Sequence, residues 1–139
     1  MASNSEVDRF IKSQQSLQYY KRFQEALRQV LSRLPETDYK KITRNLIFMV
    51  IHEGALAQVM HFPAKSKFKI VQFTFPKKMP LSVLRYVIAH ELGHVLQGRN
   101  WRKSDGSKLE ENADEHAARW GFPKTRAAKE WISEYSKSF

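Results

Sequence analysis

The strongest constraint on this chain lies between Pro80 and Gly98. There Leu81, Leu84, Val87, Ile88, Leu92 and Val95 recur at steps of three and four, the stripe of a helix with one face in a core. Pro80 suits the start of that helix and Gly98 its stop. On it, residues 90–94 read His-Glu-Leu-Gly-His. Positions four apart share a helix face, so His90 and His94 aim their imidazoles at one point. Two neutral imidazoles at this spacing make half of a tetrahedral zinc site, and Glu91 stands beside them where it can take a proton from water. The apolar stripe puts such a site at the edge of the core, partly shielded from solvent. Histidines on a half-buried helix also serve as plain hydrogen-bonding neighbours. That reading leaves Glu91 and the acidic stretch downstream without a role.

A third protein ligand must come from elsewhere. In the extended HExxHxxGxxH pattern a glycine stands at 97 and a histidine at 100; Gln97 and Asn100 exclude it here. Further on comes Leu109-Glu110-Glu111-Asn112-Ala113-Asp114-Glu115-His116, in a helical pattern. Glu110 and Asp114 share a face, so one carboxylate can bind a metal while the other holds the N–H of a ligating histidine. Glu111 and Glu115 have the same spacing and compete for that role. His116, six residues after Glu110, falls on another face and is not expected to be a ligand.

HELGH followed by Glu110-x-x-Ala113-Asp114 resembles the HExxH…ExxAD signature of the gluzincin metallopeptidases, and the short chain is similar to the minigluzincins. The resemblance spans about residues 44–122 and is most specific at 90–94 and 110–114. It implies that His90, His94 and Glu110 bind one Zn²⁺, that Glu91 is the general base, and that Asp114 orients a ligand from behind. A weaker similarity runs to the ImmA/IrrE-type peptidases. Larger gluzincins have a further subdomain that supplies a Tyr or His to the transition state, and no motif here assigns that residue.

Composition narrows the setting. At 139 residues the chain is expected to form a single minimal domain, 1–139. It has no cysteine, which rules out disulfides and thiolate zinc modules. The N-terminus has no apolar signal region, and the longest apolar run, Leu46 to Ile51, is too short to span a bilayer, so a cytoplasmic location is expected. The net charge of +10 is spread over Lys65, Lys67, Lys69, Lys77, Lys78, Arg99, Arg102 and Lys103 among others. Such a surface attracts acidic partners, nucleic acid included, yet no nucleic-acid-binding motif accompanies it.

Along the chain, an N-terminal helical segment covers 5–34: a first stretch at 5–16, then an amphipathic helix through Leu17, Tyr20, Phe23, Leu27, Val30, Leu31 and Leu34, stopped by Pro35. Residues 45–52 read as a buried strand, and Glu53-Gly54 as a hairpin turn into a second strand at 55–62. A third strand follows at 68–75. Its apolar parity changes between Ile70 and Val71, which predicts a bulge or burial on both faces. After the glutamate helix, Gly121-Phe122-Pro123 marks a break before a C-terminal helix at about 124–137. The order predicts an α+β fold. A small antiparallel or mixed sheet of three or slightly more strands packs against the HExxH helix and the glutamate helix, with helices at both ends.

A free sheet edge beside such a cleft can take up a peptide substrate as an added strand, and 67–75 or 55–62 are the candidates. His52 and His61 are the histidines near those strands that can add a transition-state contact. The expected activity is a zinc-dependent endopeptidase. The rivals are a metal-containing binding module with little or no turnover, using its basic surface for nucleic acid or protein, and a latent enzyme plugged by the C-terminal helix through Trp131 and Tyr135.

Overall fold

The computed structural model describes residues 1–51, 57–61, 68–74, 78–98 and 106–137. Within them the chain is α+β, with six α-helices and a small sheet. Helix α1 (Asn4–Ser13) starts at Ser3, whose hydroxyl accepts from the Glu6 N–H as an N-cap. A 3₁₀ turn (Gln15–Leu17) then leads into α2 (Lys21–Leu31). The single long helix expected from Leu17 to Leu34 is therefore broken. Leu17 is buried in the 3₁₀ turn, and the Gln24 amide secures its carbonyl at 2.6 Å. Pro35 stops that region as expected and also opens a helix that periodicity did not reveal, α3 (Glu36–Thr43). Its Glu36 and Asp38 lie in the first turn and Lys40 and Lys41 in the last, so charge matches the helix dipole where only Tyr39 and Ile42 are buried.

The strands are β1 (Leu46–Ile51), β2 (Ala57–His61) and β3 (Lys69–Thr74), in the order β1-β3-β2. Strand β3 pairs in parallel with β1 and antiparallel with β2. This corrects the expected hairpin of 45–52 with 55–62, because β3 inserts between them; its turn at Glu53-Gly54 lies outside the described residues. It also removes 67–75 as a sheet edge. Pairing runs from Lys69 to Thr74 with no skipped partner, so the parity change at Ile70–Val71 is not a bulge. Ile70, Val71, Phe73 and Thr74 are all buried, as suits a central strand covered on both faces.

Leu46, Phe48 and Val50 on β1 share a face with Val71 and Phe73 on β3 and with Ala57 and Val59 on β2. Phe23 from α2 packs on this face, with ring centroids 4.8 Å from Phe73 and 6.0 Å from Phe48. The outer edge of β1 is filled by side chains. The Gln14 amide donates to the Leu46 carbonyl at 3.0 Å and accepts from the Phe48 N–H at 2.9 Å, and the Ser16 hydroxyl donates to the Phe48 carbonyl. Buried Gln14 thus replaces a neighbouring strand, satisfying groups that would cost about 1–3 kcal/mol each if left unpaired.

Helix α4 (Leu81–Gln97) packs against α2 and the sheet, bounded by Pro80 and by Gly98 at φ 65°. Helix α5 (Gly106–Arg119) lies along α4. Gly121, at φ 97°, turns the chain toward α6 (Arg126–Ser136), which begins at a Thr125 cap and docks through buried Ala128 and partly buried Trp131 and Ile132. No helix among the described residues is long and apolar enough to cross a membrane.

Candidate metal centre

The centre is built where α4 and α5 come closest. At Gly93 an added Cβ would stand 3.0 Å from both the Cα and the carbonyl oxygen of Ala113, and 3.3 Å from its Cβ. Two small residues therefore set the helix separation, and they are the glycine of HELGH and the alanine of ExxAD. Because the obstructing atoms are backbone, Gly93→Ala must push α5 away. We expect it to destabilise the fold by about 1–3 kcal/mol, the usual cost of overpacking, despite alanine's better helix propensity. Zinc affinity should fall with it, since Glu110 rides on α5. Chemical denaturation with a zinc competition assay checks this, and unchanged stability would refute the close-contact argument.

His90 and His94 sit one turn apart on α4, their side chains 12% and 18% exposed. Glu110 reaches them from α5: one carboxylate oxygen lies 2.8 Å from His90 Nε2, the other 3.2 Å from His94 Nε2. The two Nε2 atoms are 3.1 Å apart. His90, His94 and Glu110 thus form a group able to hold a metal ion. Glu111 is not among them. It lies with Glu115, Lys108, Asn112 and Leu96 along an open groove between the end of α4 and α5. The competing pair 111/115 is thereby separated from the histidines, and 110/114 is joined to them.

The other ring nitrogens decide the tautomers. Asp114 lies 2.7 Å from His90 Nδ1 and also accepts from the Tyr86 hydroxyl. A carboxylate accepts, so His90 Nδ1 carries the proton and its Nε2 lone pair faces Glu110 and His94. Burial, then the hydrogen bond to Asp114 and the carboxylates of Asp114, Glu110 and Glu91, push the Tyr86 phenol far above its ordinary value and keep it a donor. His94 Nδ1 is 2.8 Å from Gln97 Oε1, while the Gln97 amide donates to the Leu109 carbonyl at 2.7 Å and to Asn112 Oδ1 at 2.9 Å. Two imidazole lone pairs and a carboxylate consequently converge on one point. Such a set is held together by a shared proton or by a metal cation between its members, and its two nitrogens and one carboxylate are donors that suit a metal ion.

Glu91 is buried, at 7% exposure. Burial first, and the Glu110 carboxylate second, push its acid up to about 8 in the metal-free protein. A dication held by Glu110 acts in the opposite direction. His116 stands apart: its ring stacks on Trp120 at 5.5 Å, its Nδ1 is buried with no hydrogen-bond partner among the described residues, and burial lowers its affinity for a proton. Trp120, just past the end of α5, in turn donates to Asp38 on α3 at 3.2 Å. His52 lies outside the described residues. His61 is the last residue of β2, paired with Lys69.

Comparison of the chain with protein-family models, curated proteins and solved structures returns no match. The resemblance to the gluzincins therefore rests on residues 90–94 and 110–114 alone. Tyr86, which holds Asp114 behind His90, and Gln97, which backs His94, belong to neither motif. Their signal is spacing: Tyr86 precedes His90 by four and Gln97 follows His94 by three, so each shares its histidine's helix face.

Proposed function

We propose that this chain is a zinc-dependent endopeptidase acting on extended polypeptide segments. One observation carries the reading. Both Nδ1 atoms are committed as donors, so two Nε2 lone pairs and the Glu110 carboxylate meet within 2.8–3.2 Å, a nitrogen–nitrogen–oxygen donor set suited to zinc. Three protein ligands among the described residues would leave a fourth position for water, as in a catalytic rather than a structural site. Zinc bound there supplies a Lewis acid that polarises the scissile carbonyl and brings the pKa of water near 7.

The chain's own residues do the rest. His90, His94 and Glu110 hold the ion, and Asp114, itself held by Tyr86, keeps His90 in the ligating tautomer. Glu91 accepts the proton of the attacking water and returns it to the leaving amine. Its burial keeps that carboxyl out of bulk solvent, so the proton it takes is not lost. For substrate, the described strands offer one candidate edge. Strand β3 is central and the edge of β1 is filled by Gln14 and Ser16, whereas β2 lies at the other margin, against α4. An extended peptide added to β2 would run beside the helix that carries His90 and His94.

The test has two steps. Elemental mass spectrometry on protein purified without a histidine tag is expected to find one zinc per chain. A panel of unstructured proteins is then expected to be cut, and a chelator to stop the cutting. No zinc, and none taken up from buffered solution, would end the metallopeptidase reading. Zinc without cleavage, together with salt-sensitive binding of nucleic acid, would favour a binding module instead.

A further inference from the structure

We propose that Gln97 is a positioning residue of this centre, holding His94 in its ligating tautomer and tying it to the backbone of α5 just ahead of Glu110. The inference rests on the zinc-site reading and extends it to a residue outside the HExxH and ExxAD motifs.

The Leu109 carbonyl can only accept, and it lies 2.7 Å from one end of the Gln97 amide. That end must therefore be the NH₂ group, which also donates to Asn112 Oδ1 at 2.9 Å. The other end is then the oxygen, and it faces His94 Nδ1 at 2.8 Å. An oxygen there demands a proton on Nδ1. With Nδ1 protonated, the neutral ring's lone pair is on Nε2, directed toward His90 Nε2 at 3.1 Å and the Glu110 carboxylate at 3.2 Å. A backbone carbonyl on α5 thus sets the tautomer of a histidine on α4 through a single amide.

The same amide makes assembly of the ligands cooperative. Leu109 directly precedes Glu110, so the group that orients His94 also grips the turn that delivers the third ligand. If α5 drifts, Gln97 loses its anchor, and His94 loses its constraint along with its partner carboxylate. The two histidines are backed differently: His90 by the carboxylate of Asp114, His94 by a neutral amide. Charge is then concentrated behind one ligand only, which leaves the ion more electrophilic than two carboxylate-backed histidines would.

Two substitutions separate the roles. Gln97→Met keeps the length and loses all three hydrogen bonds, whereas Gln97→Glu keeps an acceptor for His94 and loses the donors to Leu109 and Asn112. Zinc affinity is measured by competition with a chromophoric chelator. The methionine variant is expected to bind zinc about 10–100-fold more weakly, the usual loss when a ligand's outer partner is removed. The glutamate variant is expected to recover the part of that loss that comes from the His94 tautomer, and to keep the part that comes from the lost tie to Leu109. In parallel, two-bond ¹H–¹⁵N correlation spectra of the imidazoles read the tautomer in metal-free protein at mildly alkaline pH. The His94 signal is expected to be Nδ1–H in wild type and to shift toward Nε2–H with methionine at 97.

Wild-type zinc affinity in the methionine variant would overturn the proposal, as would equal zinc loss in both variants. An unchanged His94 tautomer in the methionine variant would overturn it as well. Failure of wild type to bind zinc is a separate result: it removes the metallopeptidase reading, while the tautomer spectra still decide what Gln97 does.

Discussion

Glu91→Gln is expected to lower peptide hydrolysis by about 10²–10⁴-fold, the contribution of a positioned general base, with zinc still bound at one per chain. The amide matches the carboxylate in shape and cannot take a proton from water. His90 and His94 flank it on the same helix but are held from behind by Asp114 and Gln97, so the ligands need not move. A second consequence comes from burial. In the metal-free protein burial and the Glu110 carboxylate push the Glu91 acid up to about 8, against an ordinary carboxyl value of 4.5, so folding favours its protonated form. The penalty for ionising it inside is absent below pH 4.5, grows as pH rises toward 8, and is constant above that. With zinc chelated, the Glu91→Gln variant should therefore be more stable than wild type at pH 8, by an amount on the order of a few kcal/mol, and equally stable near pH 4. Denaturation at the two pH values measures this. A variant that still cuts at the wild-type rate would remove Glu91 from the mechanism.

How far the sequence could be read depended on how local each feature is. The HExxH helix was legible at both ends because Pro80, the apolar stripe and Gly98 all act within one element. The convergence of Glu110 on His90 and His94 was foreshadowed by motif spacing. The contact that enables it, Gly93 against the Ala113 backbone, joins residues twenty apart and leaves no periodic trace. Strand existence was likewise readable and strand order was not. Residues 46–51, 57–61 and 69–74 each have an apolar pattern, but the insertion of β3 between the others depends on pairings that no turn signal encodes. A Glu-Gly at 53–54 suggests a hairpin whether or not the strands it joins are neighbours. Helix α3 was hidden for the opposite reason. It is short, with two buried residues in eight, and its stability comes from its charges and from packing. Gln97 enters the sequence pattern only as the residue that is not a glycine, although its spacing from His94 allows the contact it makes.

Because two acidic pairs share the same spacing on α5, the sharpest test of the ligand set is a comparison within it. Glu110→Ala is expected to weaken zinc binding by more than about 100-fold, beyond the 10–100-fold typical of an outer partner, since it removes a direct ligand. Glu111→Ala is expected to stay within a few-fold of wild type, because that side chain lies along the groove with Lys108 and Glu115. Both are solvent-facing carboxylates on the same helix, so a general loss of negative charge would weaken zinc alike in the two variants. Only direct coordination separates them. The Glu110 side chain is 63% exposed even while its carboxylate touches both histidines, so its removal opens no cavity and should leave unfolding of the metal-free protein close to wild type. What it does remove is the only carboxylate among the described residues grouped with both histidines. Two Nε2 atoms 3.1 Å apart would then have to hold a dication with no carboxylate left to coordinate it. Competition titrations of the two alanine variants under identical buffering give the answer, and equal losses, or the reverse order, would move the ligand to Glu111.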